Sequence, residues 1–418
     1  KIDRIDAELR ERLDNRWGSS DQVVLRSLNA IARSERALTR NVAGDLIRTA
    51  QAPDSLLDTP ICLKILDSFV DYGVINEYVP PTTDPLRPSE RYYQLSMAPL
   101  ADYLIAVGAV DETVRTGSCT LPQVLRTKPA AQEMAALILM SDHELFVGDN
   151  GLWTEDLPAT KIEELRLRTL ARAPVWKTAR YQPWVKSRLK ESMPSCRKVL
   201  AYLAIPVSRM EGHPLGPRLV HETLLDFPSV APRDPIFSGP EYIPHNHGAP
   251  WEGYGENPVA HETLVRTDTH EGLPLLFAWS LTTVDESLRY HCRRELTTWG
   301  KENPGEFLKL LELTYPTGDP QVKEELMIVT AGVACLFEAE DGAPLAALAH
   351  WALTEIFADG KIQKVQNIVI RHMGRIIIER ASYRGLLEEA DVKRARPPYP
   401  KTDVLLELDR EAASATGE

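Results

Sequence analysis

The strongest constraint in this sequence is the punctuation of its C-terminal third. After Gly272, apolar residues fall three and four apart, and the pattern is interrupted by capping residues and prolines. An Asp or Asn side chain accepts the unpaired N–H groups of a first turn, and proline, with φ already fixed, is tolerated only there. Asp285 is therefore expected to cap a helix through Trp299 that stops at Gly300. Asn303-Pro304 opens a second helix, carrying Phe307, Leu308, Leu310 and Leu311, and Asp319-Pro320 opens a third through Phe337. Ala346 to Phe357, Ile362 to Ile378 and Leu386 to Val392 continue the series. Helices of ordinary length on short turns predict an α-solenoid, HEAT-like because its repeat is irregular, without the 34-residue tetratricopeptide signature. Trp279, Trp299, Leu310 and Leu326 are assigned to its core.

Proline has the opposite effect in residues 206–271. Ten of the 31 prolines lie there, with His245, His247, His261 and His270, a density that forbids long helices. This stretch reads as a Pro/His-rich insertion or loop-rich subdomain. Before it, residues 109–205 read as a helical connector, with helical spacing in Thr120 to Leu125, Ala130 to Met140, Lys161 to Leu170, Trp184 to Leu189 and from Cys196 onward.

At the N-terminus, Ile2, Ile5, Leu9, Leu13 and Trp17 make the stripe of an amphipathic packing helix over residues 1–20. Residues 21–108 then give three helical faces: Val23, Val24, Leu28 and Ile31; Val42, Leu46 and Ile47; and Ile61, Ile65, Leu66, Phe69 and Val70, closed by Gly73. Two β-rich runs, Val74–Val79 and Arg91–Leu95, follow as a hairpin. Three helices and a hairpin are the plan of a winged-helix domain. Its third helix carries Lys64 as sole base beside Asp67 and Asp71, the wrong charge for entering a DNA groove, so the module reads as a structural joint.

The next segment, Leu95-Ser96-Met97-Ala98-Pro99-Leu100-Ala101-Asp102-Tyr103-Leu104-Ile105-Ala106, resembles the "F-x-L-D-P-L-A-E-Y-L-A-A" run after the winged helix of bacterial STAND NTPases, the NACHT-type signal-transducing ATPases. Ala98 stands where that pattern carries an acid, and no histidine precedes His143 to match a nucleotide-contacting one. Leu275–Leu281, Leu288-Arg289, Asp319–Leu326, Gly332-Val333-Ala334 and Arg396–Tyr399 are similar to helices of antiviral STAND proteins. Departures are Gln321 for an aromatic, Glu325 for a base and Ala331 for a tyrosine. The resemblance touches residues 22–108 and 272–400 and leaves the middle uncovered.

No GxxxxGK[ST] loop occurs, and the lone Gly253-Tyr254-Gly255 lacks a preceding strand and a following helix. Under the resemblance, an ATPase domain that uses ATP and Mg lies upstream, and this chain itself holds neither cofactor. The chain opens at Lys1 without methionine or leader, as expected of a piece of something longer. Five cysteines at wide spacings, with no CxxC pair, predict neither a disulfide framework nor structural zinc, and fit a reducing, cytoplasmic setting. No run of apolar residues is long enough for a membrane helix. The histidine cluster lacks a metal-ligand pattern, and His291-Cys292 lies in a periodic helix without an orienting third group. No catalytic residue or metal ligand is assigned. The adjacent carboxylates Glu163-Glu164, Glu324-Glu325 and Glu388-Glu389 point about 100° apart and are read as solvated faces.

Charge is segregated along the chain. The net charge is −12, yet residues 161–198 carry +8 and residues 361–401 carry +6. The first stretch interleaves Trp176, Tyr181 and Trp184 with Lys177, Arg180, Lys186, Arg188 and Lys190. Such a surface suits a protein partner, intramolecular docking or a nucleic-acid backbone, and an ordinary solvated face has the same composition. Trp176, Trp184, Tyr242, Trp251 and Tyr254 are the ligand-contact candidates, as aromatic anchors on loops. The resemblance implies a regulatory, ligand-sensing region in antiphage defence. It would recognise a protein ligand such as a phage protein, and control ATP-dependent homo-oligomerisation. The alternatives are a free-standing helical scaffold or adaptor, and a nucleic-acid-binding regulator using residues 161–198.

Overall fold

The computed structural model describes residues 21–34, 37–51, 58–80, 90–237, 257–358, 361–362 and 364–399. The packing helix expected at 1–20 lies outside them. The chain is mostly helical with one small sheet, and divides into two compact units, Lys1–Pro174 and Val175–Glu418. That division falls inside the stretch read from sequence as one connector over 109–205. No helix among the described residues is long and apolar enough to cross a membrane.

In the first unit, helix Asp21–Ala32, strand β1 (Leu38–Thr39), helices Arg40–Thr49 and Thr59–Asp71, and strands β2 (Ile75–Tyr78) and β3 (Tyr92–Leu95) follow in that order. The Asp58 side chain accepts the Ile61 N–H at 3.0 Å and Pro60 fills the first turn, so the Thr59 helix begins where local chemistry favours it. It buries Cys62, Ile65, Leu66 and Phe69 and ends at Gly73, whose φ of 64° suits glycine. The strands form an antiparallel sheet in the order β1-β3-β2, pairing Ile75 with Leu95, Tyr78 with Tyr92, and Leu38 with Tyr93. Alternation sends Tyr93 into the core and leaves the Tyr78 and Tyr92 rings together on the other face, 6.1 Å apart. Helix Ala98–Thr116 follows directly, with Pro99 in its first turn. At Gly108 it comes so close to Asn29, which donates to the Leu104 carbonyl, that a Cβ would lie 2.1 Å from the amide nitrogen. Helices Pro129–His143 and Ala159–Arg172 complete the unit. The helix expected over Thr120 to Leu125 is only a 3-10 turn at Gln123–Leu125, because Pro122 blocks its start and Ser118 and Thr120 bond each other's local groups.

In the second unit, helices Leu273–Ser280, Glu286–Glu302, Pro304–Thr314, Pro320–Leu336, Gly342–Glu355 and Ile368–Tyr383 succeed one another. Glu286–Glu302 packs on Pro320–Leu336, which packs on Ile368–Tyr383. Asp285 accepts the N–H groups of Ser287 and Leu288, and Asp319 those of Gln321 and Val322. Gly300 does not stop its helix. The helix runs to Glu302, where Asn303-Pro304 ends it, and Gly300 instead lets Phe307 approach within 2.7 Å of where a Cβ would stand. The helix expected from Ile362 begins at Ile368, because the Asn367 side chain accepts from Val369 and Ile370. The helix expected over Leu386 to Val392 is displaced to Glu389–Arg394. Trp279, Trp299, Leu310 and Leu326 are all buried.

One further expectation is corrected. Glu325 is no part of a solvated face. It is 2% exposed, takes both arms of the Arg293 guanidinium and lies 3.7 Å from Arg289. A carboxylate 32 residues from its partner in sequence gives no local sign of that pairing. Residues 206–237 hold only short helices, as their prolines predict, and they also enter the core. Val207, Leu215, Leu219, Val220, Leu224, Ile236 and Phe237 are buried, and helix Pro217–Leu225 packs against Leu273–Ser280. Prolines there keep helices short while the chain still enters the core.

Candidate functional site

The candidate surface lies in the second unit and starts from a short basic segment. Helix Val175–Thr178 and the turn Ala179–Tyr181 lead into helix Gln182–Glu191, where Pro183 presets the first turn. Val185 and Leu189, four residues apart, bury one face. Trp176 is 77% exposed, with the Lys177 ammonium 4.8 Å from its ring centroid, and Arg180 lies 5.1 Å from the centroid of Tyr181. Trp184 is half-buried. The helix is tied down at both ends: Gln182 donates to the Pro214 carbonyl at 2.9 Å, and Lys190 meets Asp226 at 2.9 Å.

The structure thus brings Trp176 and Trp184 onto one segment with Lys177, Arg180, Lys186, Arg188 and Lys190, while Tyr242, Trp251, Tyr254, His245 and His247 lie outside the described residues. The basic window is divided between the two units, and part of its charge is paired. Arg188 pairs with Glu191 at 2.5 Å. In the first unit, Arg166 pairs with Asp149, Arg168 and Arg172 both meet Glu133, and Lys161 pairs with Glu164. From outside the window, Asp149, Glu133 and Asp226 answer part of its +8 charge. A labelled 20-nucleotide single strand is therefore expected to bind no more tightly than generic nonspecific association, about 10⁻⁴ to 10⁻⁶ M. Anisotropy titrations at low and moderate salt check this, and tighter, steeply salt-dependent binding would restore the nucleic-acid reading.

The turn that anchors Gln182 also borders a small polar cleft of about 190 Å³. Its lining comes from two turns and a helix: Ser208 to Arg218, Thr269 to Gly272, and Glu306 with Lys309. The turns meet because Gly272 has no side chain, since a Cβ there would stand 2.5 Å from the Ser208 carbonyl oxygen. His213 is 6% exposed. Its Nδ1 accepts the Leu215 N–H at 3.2 Å, so the neutral ring carries its hydrogen on Nε2, which has no partner among the described residues. Burial holds His213 below the usual histidine range. Glu306 is the opposite case. Burial alone would raise its pKa, but Lys309 at 2.8 Å, with the His270 amide at 3.0 Å and its ring nitrogen at 2.7 Å, outweighs that and draws it down to about 2.

A carboxylate so firmly ionised is a poor proton acceptor near neutrality. The buried thiols are equally inert, Cys196 being pushed up to about 12 by burial and Cys292 higher still. The residues suit holding a polar group, and among the described residues no group of three His, Cys, Asp or Glu is placed to hold a metal ion. His270 belongs to this cleft through Glu306. Its sequence signals, Gly216, Gly272, His213 and His270, are spread over some 60 residues and show no spacing rule. No family model, curated protein or solved structure matches the chain.

Proposed function

We propose that this chain is the regulatory and ligand-sensing region of a STAND NTPase of bacterial antiphage defence, working in the cytoplasm. The observation that carries the reading is the element order helix, strand, helix, helix, strand, strand over Asp21–Leu95, with strand order β1-β3-β2 and the Pro99 helix immediately after it. That order is consistent with a winged-helix plan, and it is followed by the segment whose residues resemble the family's. The stacked helices from Leu273 to Tyr383 support the second half, a HEAT-like array. Asp67 on the third helix is occupied by Arg40 at 2.7 Å, which favours a joint between domains over a DNA reader.

In this reading the array and the segment around Trp176 and Trp184 recognise a protein ligand, and the winged helix transmits that event to an ATPase domain upstream. Activation is by ATP-dependent assembly of several copies, with ATP and Mg held by the upstream domain. Titration calorimetry on the full product of the native gene tests this. The full product is expected to bind MgATP or MgADP and residues 1–418 alone to bind neither. Failure of the full product to bind either nucleotide would leave the free-standing scaffold as the better reading.

A further inference from the structure

A cavity of about 390 Å³ opens between helices Pro304–Thr314 and Gly342–Glu355, away from the cleft described above. Its floor is an aromatic pair, Tyr315 and Trp351, with centroids 5.1 Å apart and rings at 79°. Leu308 and Leu311 supply an apolar wall, and the carboxylates of Glu312 and Glu355 stand among the lining residues. None of those residues is a lysine or arginine. The remaining polar groups also favour a donor: Thr354 offers a hydroxyl, and His350 donates through Nδ1 to the Ala346 carbonyl at 2.7 Å, leaving Nε2 an acceptor in the neutral ring.

Two of the chain's own ammonium groups already meet this lining, which leaves the exposed Glu312 carboxylate for an incoming cation. Lys361 meets Glu355 at 3.0 Å, and Lys323 lies 5.2 Å from the Tyr315 ring centroid. Ring faces carry negative potential, so aromatic faces with carboxylates draw a cation, while the apolar wall takes the methylene stem behind it. A planar guanidinium stacks on a ring and bonds a carboxylate at once, which a point-charged ammonium does less well. We propose that this cavity is a recognition pocket for a basic side chain, arginine ahead of lysine, presented by a polypeptide partner. The proposal does not depend on the ATPase reading.

Saturation-transfer NMR on the whole chain tests it, with N-acetyl-arginine amide as probe and N-acetyl-citrulline amide as its neutral isostere. Blocked termini leave the side chain as the only charge. Arginine amide is expected to bind in the millimolar range and the citrulline compound at least about fivefold more weakly, the size of one charge pair near a protein surface. Glu312→Lys, at an exposed position, is expected to lose a similar factor, and Glu312→Gln, which keeps the shape, a smaller one in the same direction. Equal binding of the two compounds, or arginine binding untouched by both Glu312 variants, overturns the proposal.

Discussion

Trp279→Ala will lower the stability of the second unit by about 3–5 kcal/mol. The indole is 1% exposed, on a helix whose every residue from Leu273 to Ser280 is buried, so the structure around it has little freedom to collapse into the space vacated. The change removes three contacts at once: the apolar surface, the ring under the Arg233 guanidinium 5.7 Å away, and the hydrogen bond from Nε1–H to His221 Nδ1 at 3.1 Å. His221, itself 2% exposed, is left with a buried acceptor and no donor. Urea unfolding of the whole chain, followed by hydrogen exchange in Leu273–Ser280, measures the effect. Trp279→Phe, which keeps most of the volume, is expected to cost far less, and equal losses for the two variants would mean that packing is not what the tryptophan supplies.

The second large effect is acid sensitivity, with the same pair at its centre. Burial, then the nearby Arg218 and Arg233, lowers the His221 pKa from its usual 6.5 to about 4. The geometry says why the neutral ring is required: protonation would set an N–H on Nδ1 against the Trp279 N–H already pointing at it. A folded-state pKa below the unfolded one stabilises the protein fully above about pH 6.5, and that contribution is lost as pH falls toward 4. A depression of this size corresponds to about 3 kcal/mol. Urea midpoints are therefore expected to fall steeply from pH 6.5 to pH 4, and the fall to shrink in His221→Gln. Glu306, depressed to about 2, contributes in a lower window, from its usual 4.5 downward, so the two are separable along the pH axis.

What could be read from the sequence follows the range of the interactions. Asp285 and Asp319 were legible as caps because a cap acts on amides two and three residues ahead, and the aromatics Trp279 and Trp299 because apolar spacing marks a buried face. Strand β1 was missed because two residues carry no alternation, and its pairing to Tyr92 and Tyr93 is made by backbone more than 50 residues away. The helix starts later than Ile362 because the Asn367 cap, not the apolar periodicity that runs through it, sets the first turn. Charge was the least legible property. Glu325 looked solvated, and the pairing of bases within residues 161–198 left no local sign, since Arg293, Glu133, Asp149 and Asp226 meet their partners only in space. The polar cleft around His213 and Glu306 was illegible for the same reason.

The sequence of the native gene upstream of the codon for Lys1 bears most directly on the central claim. The regulatory reading predicts a GxxxxGK[ST] phosphate loop within about 300 codons, followed without a stop by residue 1. A start codon immediately before Lys1, with no such loop in frame, would contradict it and leave a self-contained helical binding protein.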